Sequence, residues 1–357
     1  MKKNWLRVVL SALSLALAVA LVVYLPQIVH SLTGAKVSWH EIGHEFGRLS
    51  WQTILLMSVL WLGSLWAYTY VMTSALPGLS NLQALTLNAG GSAVSNLLPF
   101  GGAAGVALTF GMTRGWGFTN RPIVVYTLVT GIWNSLFRFL LPAVGIACLL
   151  LAGKATNPTV AKAGWVGAVS MIVLVAIVAA ALYWDRAAAL LGRALDGLIR
   201  VLPRRFRPAE HAASGAIDRL RQDTADVIHR RWAGLSLGMI SFLALQCLIM
   251  AACLVATGSY PGAAETVAVF ALSRVLTSVL VTPSGAGIME GGVATLLIGA
   301  FGQPASGATA AAVLFGFWTY TIEIPWGALA LGAWSLLRKR ESAAAQSAST
   351  LTRAQAT

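Results

Sequence analysis

The sequence has 357 residues, 57% of them hydrophobic and 10% charged, with a formal net charge of +13 at pH 7 and a mean hydropathy of +0.74. Soluble domains carry roughly 25% charged residues, so this composition excludes a soluble globular protein and points to an integral membrane protein. The longest polar stretch, about 185–231, is too short and too rich in arginine to bury the core of a soluble catalytic domain.

At the N-terminus, Met1-Lys2-Lys3-Asn4-Trp5-Leu6-Arg7 precedes an apolar run to about Leu25. The run is long and no clean cleavage site follows, so an uncleaved first span over 8–29 is expected rather than a signal peptide. Next comes Ser38–Phe46, "SWHEIGHEF", which contains H-E-x-x-H, the helical spacing that sets two imidazoles and a glutamate around zinc. A zinc site needs a third protein ligand. The position a third histidine would take, 50, is Ser50, and every aspartate falls between 185 and 226. The expectation is therefore a short amphipathic helix at the interface, with Trp39, Ile42, Phe46 and Leu49 on its apolar side, and no metal. Cys148, Cys247 and Cys253 all lie in apolar runs without ligand spacing and read as small buried hydrophobes.

Further spans are expected at 51–73, 123–151, 162–184, 232–257 and 307–336, giving six with the first. Two other apolar stretches, about 80–113 and 263–302, are interrupted by glycine-rich sequence. They read as re-entrant pairs, because broken backbone at membrane depth must be buried in protein or line a cavity. With the N-terminus inside, six crossings return the C-terminus inside. The inner segments then carry a net +12 and the outer ones +1, as the positive-inside rule requires. That rule accounts for the basic balance, and no nucleic-acid partner is expected. The 185–231 loop interleaves Arg193, Arg200, Arg204, Arg205 and Arg207 with leucine and isoleucine. An interfacial helix on anionic headgroups and a solvated basic loop both fit it. The domain layout is one transmembrane domain over 1–337 and a disordered cytoplasmic tail over 338–357, whose composition is poor in bulky apolar residues.

The two broken stretches resemble each other. Residues 84–105 read "ALTLNAGGSAVSNLLPFGGAAG" and 268–287 read "AVFALSRVLTSVLVTPSGAG". Each runs through small and apolar residues to a proline, then a glycine-rich turn, then a new apolar helix. An odd number of expected spans separates them, so they enter from opposite sides. The pattern is that of an inverted repeat, with repeat 1 at about 51–151 and repeat 2 at about 232–336. Proline ends the first half-helix, glycine lets the backbone fold back, and the new half-helix offers unpaired N–H groups that favour an anion. Close packing of small residues between helices is the alternative reading of the same stretches.

Four ionisable residues fall within apolar segments: Arg138, Arg274, Glu290 and Glu323. Such residues are costly in hydrocarbon and face a polar interior, often paired. Pairing of Arg138 or Arg274 with Glu290 or Glu323 is expected, either around a cavity or as an inert bridge between helices. Trp133, Asn134, Trp318 and Tyr320 flank them and suit a cavity lining or apolar packing equally.

"TPSGAGIMEGG", "LLPFGGAAG" and the arginine-rich central loop together resemble the membrane region of lysylphosphatidylglycerol synthases, over roughly 8–337. The resemblance implies a role in moving aminoacylated or other anionic lipids between the leaflets of a bacterial inner membrane. It assigns the headgroup cavity to Pro99, Gly101, Gly102 and Gly105 in the first turn and to Pro283, Gly285, Gly287 and Glu290 in the second, beside Arg138, Arg274 and Glu323. Two departures stand out: Ser284 occupies a position where a second glycine is usual, and "VALTF" follows the first turn without an early charged residue. No aminoacyl-transferase domain is expected in the sequence, so the chain is not expected to be an enzyme or to use a cofactor. Its expected partners are membrane lipids, with a cell-envelope enzyme docked on the 185–231 loop as the alternative role.

Overall fold

The computed structural model describes residues 13, 15–97, 101–154, scattered positions between 165 and 177, 214–277 and 282–336. The described residues form helices and no strand: the protein is all-α. Four expectations lie wholly or largely outside the described residues: Pro99, the span at 162–184, most of the 185–231 loop and the tail from 338.

The first span is bent. Helices α1 (Leu15–Val23) and α2 (Leu25–Thr33) meet at 63°. Pro26 sits in the first turn of α2, where it has no N–H to offer the preceding turn and its ring crowds that turn's carbonyl. The carbonyl of Val23 at the bend instead accepts a hydrogen bond from the indole of Trp39, 3.0 Å away. Trp39 opens α3 (Trp39–Gly47), the helix carrying the H-E-x-x-H sequence. Here Glu41 is held by a capping box: its carboxylate accepts from the Ser38 backbone N–H at 2.7 Å while the Ser38 hydroxyl accepts from Glu41 N–H. Ile42 is fully buried, while His40 and His44 are exposed.

Helix α4 (Trp51–Ala75) starts at a cap in which Ser50 Oγ accepts from Thr53 N–H. It runs antiparallel to α8 (Ser214–Ala256), and small residues set their separation. A Cβ on Gly238 would meet Val71 at 2.9 Å, so only glycine fits that crossing. Exposed Ile54, Leu55, Leu56, Val59 and Leu62 cover the outer side of α4, a surface suited to hydrocarbon and not to water.

Two hairpins pack against this pair of long helices. The first is α5 (Asn81–Leu97) with α6 (Gly101–Gly115). A Cβ on Gly101 would sit 2.3 Å from the Ser95 carbonyl oxygen, which is how tightly the chain doubles back. The second is α9 (Ala263–Leu276) with α10 (Ile288–Gly299), joined through a short turn at Pro283–Gly285. There Gly285 has φ +72° and Gly287 has φ +81°, conformations that need glycine. These arms have 17, 15, 14 and 12 residues, each below the roughly 20 a helix needs to cross a bilayer.

The hairpins enter from opposite ends of the bundle. Pro77 and Arg121 line a common groove where α4 ends and α7 (Asn120–Leu151) begins, so the first hairpin, between them in sequence, opens at that end. At the other end Lys154, just past α7, pairs with Glu265 at the start of α9 at 2.8 Å. The last segment is α11 (Ala305–Gly316), a single wide turn at Phe317–Thr321, and α12 (323–336). The expected span at 307–336 is thus interrupted by a π turn, in which Ile322 N–H reaches back five residues to the Phe317 carbonyl.

Among the described helices α4, α7 and the 222–256 part of α8 are long and apolar enough to cross a membrane, and the bent α1–α2 pair makes a fourth. Two apolar clusters hold the bundle. One packs Trp61, Met250, Phe270, Met289, Val293 and Phe315; the other packs Val71, Met112, Val129, Leu235 and Met239.

Candidate functional site

The tips of the two hairpins meet. Ser284, in the second turn, donates its hydroxyl to Asn96 Oδ1 at 2.5 Å, and Asn96 lies one residue before the end of α5. The Asn96 amide nitrogen in turn donates to Glu323 Oε2 at 2.9 Å and to the Tyr320 carbonyl at 3.3 Å. One amide therefore ties three elements together. The π turn matters to this arrangement, because its extra residue shifts the helix phase at the point where Thr319, Tyr320 and Glu323 face inward.

Around the meeting point lies a polar chamber. Its inner lobe has a volume of about 260 Å³ and adjoins a second lobe of about 560 Å³ between α4, α5, α6 and α7. Tyr68, Asn88, Ser92, Asn96, Asn134 and Arg138 line both. So polar a lining in so apolar a bundle needs its partners on hand, and most are present. Asn134 donates to the Tyr68 hydroxyl and to the Thr130 carbonyl, both at 2.8 Å. Arg274 donates to Gln246 Oε1 at 2.8 Å and to Thr319 Oγ1 at 3.5 Å. Its guanidinium also lies 5.4 Å from the Phe270 ring centre and 5.3 Å from that of Phe315, contacts that favour a cation between aromatic faces. Arg138 differs. It is exposed to the chamber, and among the described residues no hydrogen bond or ion pair joins it to another side chain.

Of the residues marked out by sequence, Arg138, Arg274 and Glu323 line the inner lobe, and Gly102 and Gly105 line the outer one. Gly101 lines neither lobe and packs against the Ser95 backbone. Pro283, Gly285 and Gly287 shape the second turn, but Ser284 is its residue that reaches the chamber. Glu290 is absent from the lining. It is 4% exposed, and its Oε2 accepts from Gly287 N–H at 2.7 Å, so it caps its own helix. Arg274 and Glu323 interact electrostatically across the chamber; Glu290 meets neither arginine there.

The sequence reasoning passed over Asn88, Ser92 and Asn96. Their four-residue spacing places them on one face of α5, and a line of polar side chains in an otherwise small and apolar helix was a readable signal. Gln246, Tyr68 and Thr319 carried no such mark. Among the described residues no group of three metal-binding side chains comes together.

The family model of the lysylphosphatidylglycerol synthase TM region matches residues 5–327, nearly the whole chain. The chain belongs to that family. It is accordingly a multi-pass, all-α membrane protein. None of the curated proteins compared with it matches.

Proposed function

We propose that the protein is a non-enzymatic translocator that moves an anionic or aminoacylated amphiphile between the leaflets of the bacterial inner membrane. The headgroup occupies the chamber while the acyl chains stay in lipid. Arg138 carries this reading: a guanidinium facing a cavity inside an apolar bundle, with no hydrogen bond or ion pair to another side chain among the described residues, is a site prepared for an anion. Family membership supports a lipid-related role. In the arrangement we propose, six spans and two re-entrant hairpins form an inverted repeat, with both termini in the cytoplasm. The opposed hairpins favour it, as does the concentration of Arg114, Arg121, Arg230 and Arg231 at one end of the bundle. The sequence holds no G-x-x-x-x-G-K-[ST] motif for ATP, and exchange is passive or driven by an ion gradient.

The decisive experiment is leaflet exchange of labelled phospholipids in proteoliposomes containing the pure protein. Wild type should accelerate exchange, and Arg138→Ala should abolish it while remaining folded. A pure protein that moves none of a panel of anionic, zwitterionic and aminoacylated lipids, with or without a proton gradient, overturns the reading. A second role then comes forward, as a membrane partner for envelope-building enzymes. A groove of about 550 Å³ favours that role: it lies between α4, α7 and α8 and is flanked by Arg121, Arg230 and Arg231, where the 185–231 loop rejoins the bundle.

A further inference from the structure

Away from the chamber, the groove between α4, α7 and α8 carries charges that the translocator reading does not use. Leu76, Pro77, Val125 and Val227 give it an apolar floor, and Arg121, Asp223, Asp226, Arg230 and Arg231 line it as well. Two of these satisfy each other, because Arg121 donates to both oxygens of Asp223, at 2.5 and 2.9 Å. The other three are exposed, and among the described residues none of them takes part in an ion pair. Asp226 and Arg230 stand four residues apart on α8, acid before base, the order and spacing at which such side chains pair along a helix. Here they stay apart beside the same groove, an acceptor-only carboxylate next to donor-only guanidiniums.

The depth of the groove is readable along α8. Exposed apolar residues run from Leu237 through Ile240 and Leu248 to Val255. Their span is about 27 Å of helix rise, close to the roughly 30 Å of a hydrocarbon core. Trp232, 58% exposed, stands just before that strip, where an indole marks the level of the headgroups. Arg230 and Arg231 directly precede it, and Asp226 lies about one turn further out. The charged rim is therefore at headgroup level and the apolar floor is within reach of an acyl chain.

These features fit one occupant. A headgroup with an ammonium two carbons from its phosphate carries opposite charges within the roughly 5–6 Å that separates i and i+4 positions on a helix. A purely anionic headgroup leaves Asp226 facing it without a partner, and an acidic protein segment meets the same carboxylate with no positive charge to offer. We propose that the groove is a second lipid site, which holds a zwitterionic phospholipid of the ethanolamine type as a resident of the adjoining leaflet and not as cargo. Arg230 and Arg231 hold the phosphate, Asp226 accepts from the ammonium, and an acyl chain lies on Leu76, Pro77, Val125 and Val227. In the arrangement proposed above, that leaflet is the cytoplasmic one. Binding here requires no transport, so it stands or falls separately from the translocator.

The test reads the groove directly in the full-length, lipid-free protein in detergent. Val227→Cys places a thiol on the groove floor, and its labelling by a water-soluble maleimide is followed above the background of the native cysteines. Short-chain phosphatidylethanolamine should slow labelling at a concentration about fivefold lower than phosphatidylglycerol, the size of one partly solvated ion pair. Adding Asp226→Asn should bring the two lipids level, and adding Arg230→Gln with Arg231→Gln should weaken both. Asp226 is exposed, so its substitution spares the core, and the lipid panel on the Asp226-intact protein tests the inference without it. Phosphatidylglycerol protecting as well as phosphatidylethanolamine overturns the inference, as does a preference that survives Asp226→Asn. Free phosphoethanolamine protecting at the concentration of the lipid overturns it in favour of a soluble ligand. A thiol that is unreactive before any lipid is added overturns it in favour of a groove already covered by protein.

Discussion

Ser284 has φ +52° and is the non-glycine residue with positive φ among the described residues. For a residue with a Cβ this left-handed conformation costs about 1–2 kcal/mol. The hydroxyl that comes with the Cβ makes the bond to Asn96 that joins the hairpin tips, and a net hydrogen bond contributes about 0.5–1.5 kcal/mol. The two substitutions that remove this bond therefore differ in sign from common experience. Ser284→Ala loses the hydrogen bond and keeps the strain, so it should destabilise by about 1–2 kcal/mol. Ser284→Gly loses the same bond but releases the strain, offset in part by the roughly 0.5–1 kcal/mol of extra chain entropy glycine must lose. It should fall within about 0.5 kcal/mol of wild type. Glycine should thus exceed alanine by about 1 kcal/mol here, whereas alanine exceeds glycine by a similar amount inside a helix. Equilibrium unfolding in mixed micelles measures the three proteins side by side. A double-mutant cycle with Asn96→Ala should return a coupling of about 1 kcal/mol for the hydroxyl–amide contact. Alanine as stable as glycine, or no coupling to Asn96, would refute both the strain and the bridge.

Three further outcomes follow from the packing. Glu290→Ala should cost about 1–2 kcal/mol by the same unfolding assay, because it removes the acceptor of Gly287 N–H at the start of α10, and Glu290→Gln should recover part of that. Gly101→Ala should collapse the yield of monodisperse protein in size-exclusion chromatography, since its Cβ would stand 2.3 Å from a backbone oxygen, whereas Gly91→Ala, with nothing within 4 Å, should be tolerated. Lys154→Ala should destabilise by about 1 kcal/mol after allowing for the solvent around the half-exposed lysine, because Glu265 is left buried without its cation. Arg48→Ala, which removes a 3.8 Å contact from an exposed side chain, should change unfolding by less than that.

The parts of this architecture that the sequence disclosed are those whose physics is local. A proline followed by glycines breaks a helix whatever surrounds it, so the turn at Pro283–Gly287 was legible. An arginine inside an apolar run must find a polar place, so Arg138 and Arg274 could be placed in a polar interior, with a cavity and an inert bridge between helices both open. Glu290 was drawn into the same expectation by its position after the turn, although its three-residue spacing from Gly287 is equally that of a helix cap. Its role is set by the α10 terminus and not by the chamber. The π turn left no trace, because "FWTYT" has the composition of any apolar helix and the extra residue is accommodated by packing around it. The tie between Asn96 and Ser284 joins positions 188 residues apart, and nothing short of the folded chain brings them together. Ser284 itself was noticed as a departure from the glycine usual at its place, and its structural meaning emerged only with its backbone angle and its partner.

The contact between the hairpin tips also has an electrical meaning. Where two arms reach in from opposite ends and touch through a few side chains, water on either side would narrow the insulating barrier to the thickness of that contact. A voltage across a membrane falls most steeply where the insulator is thinnest. Each elementary charge carried through the whole drop changes in energy by about 2.3 kcal/mol per 100 mV. In the proposed function, an anionic cargo crossing beside Asn96 and Ser284 would pass through that drop, and the guanidiniums of Arg138 and Arg274, which line the same lobe, would feel it as well. The resting potential of the cell would then be a term in the direction of that movement.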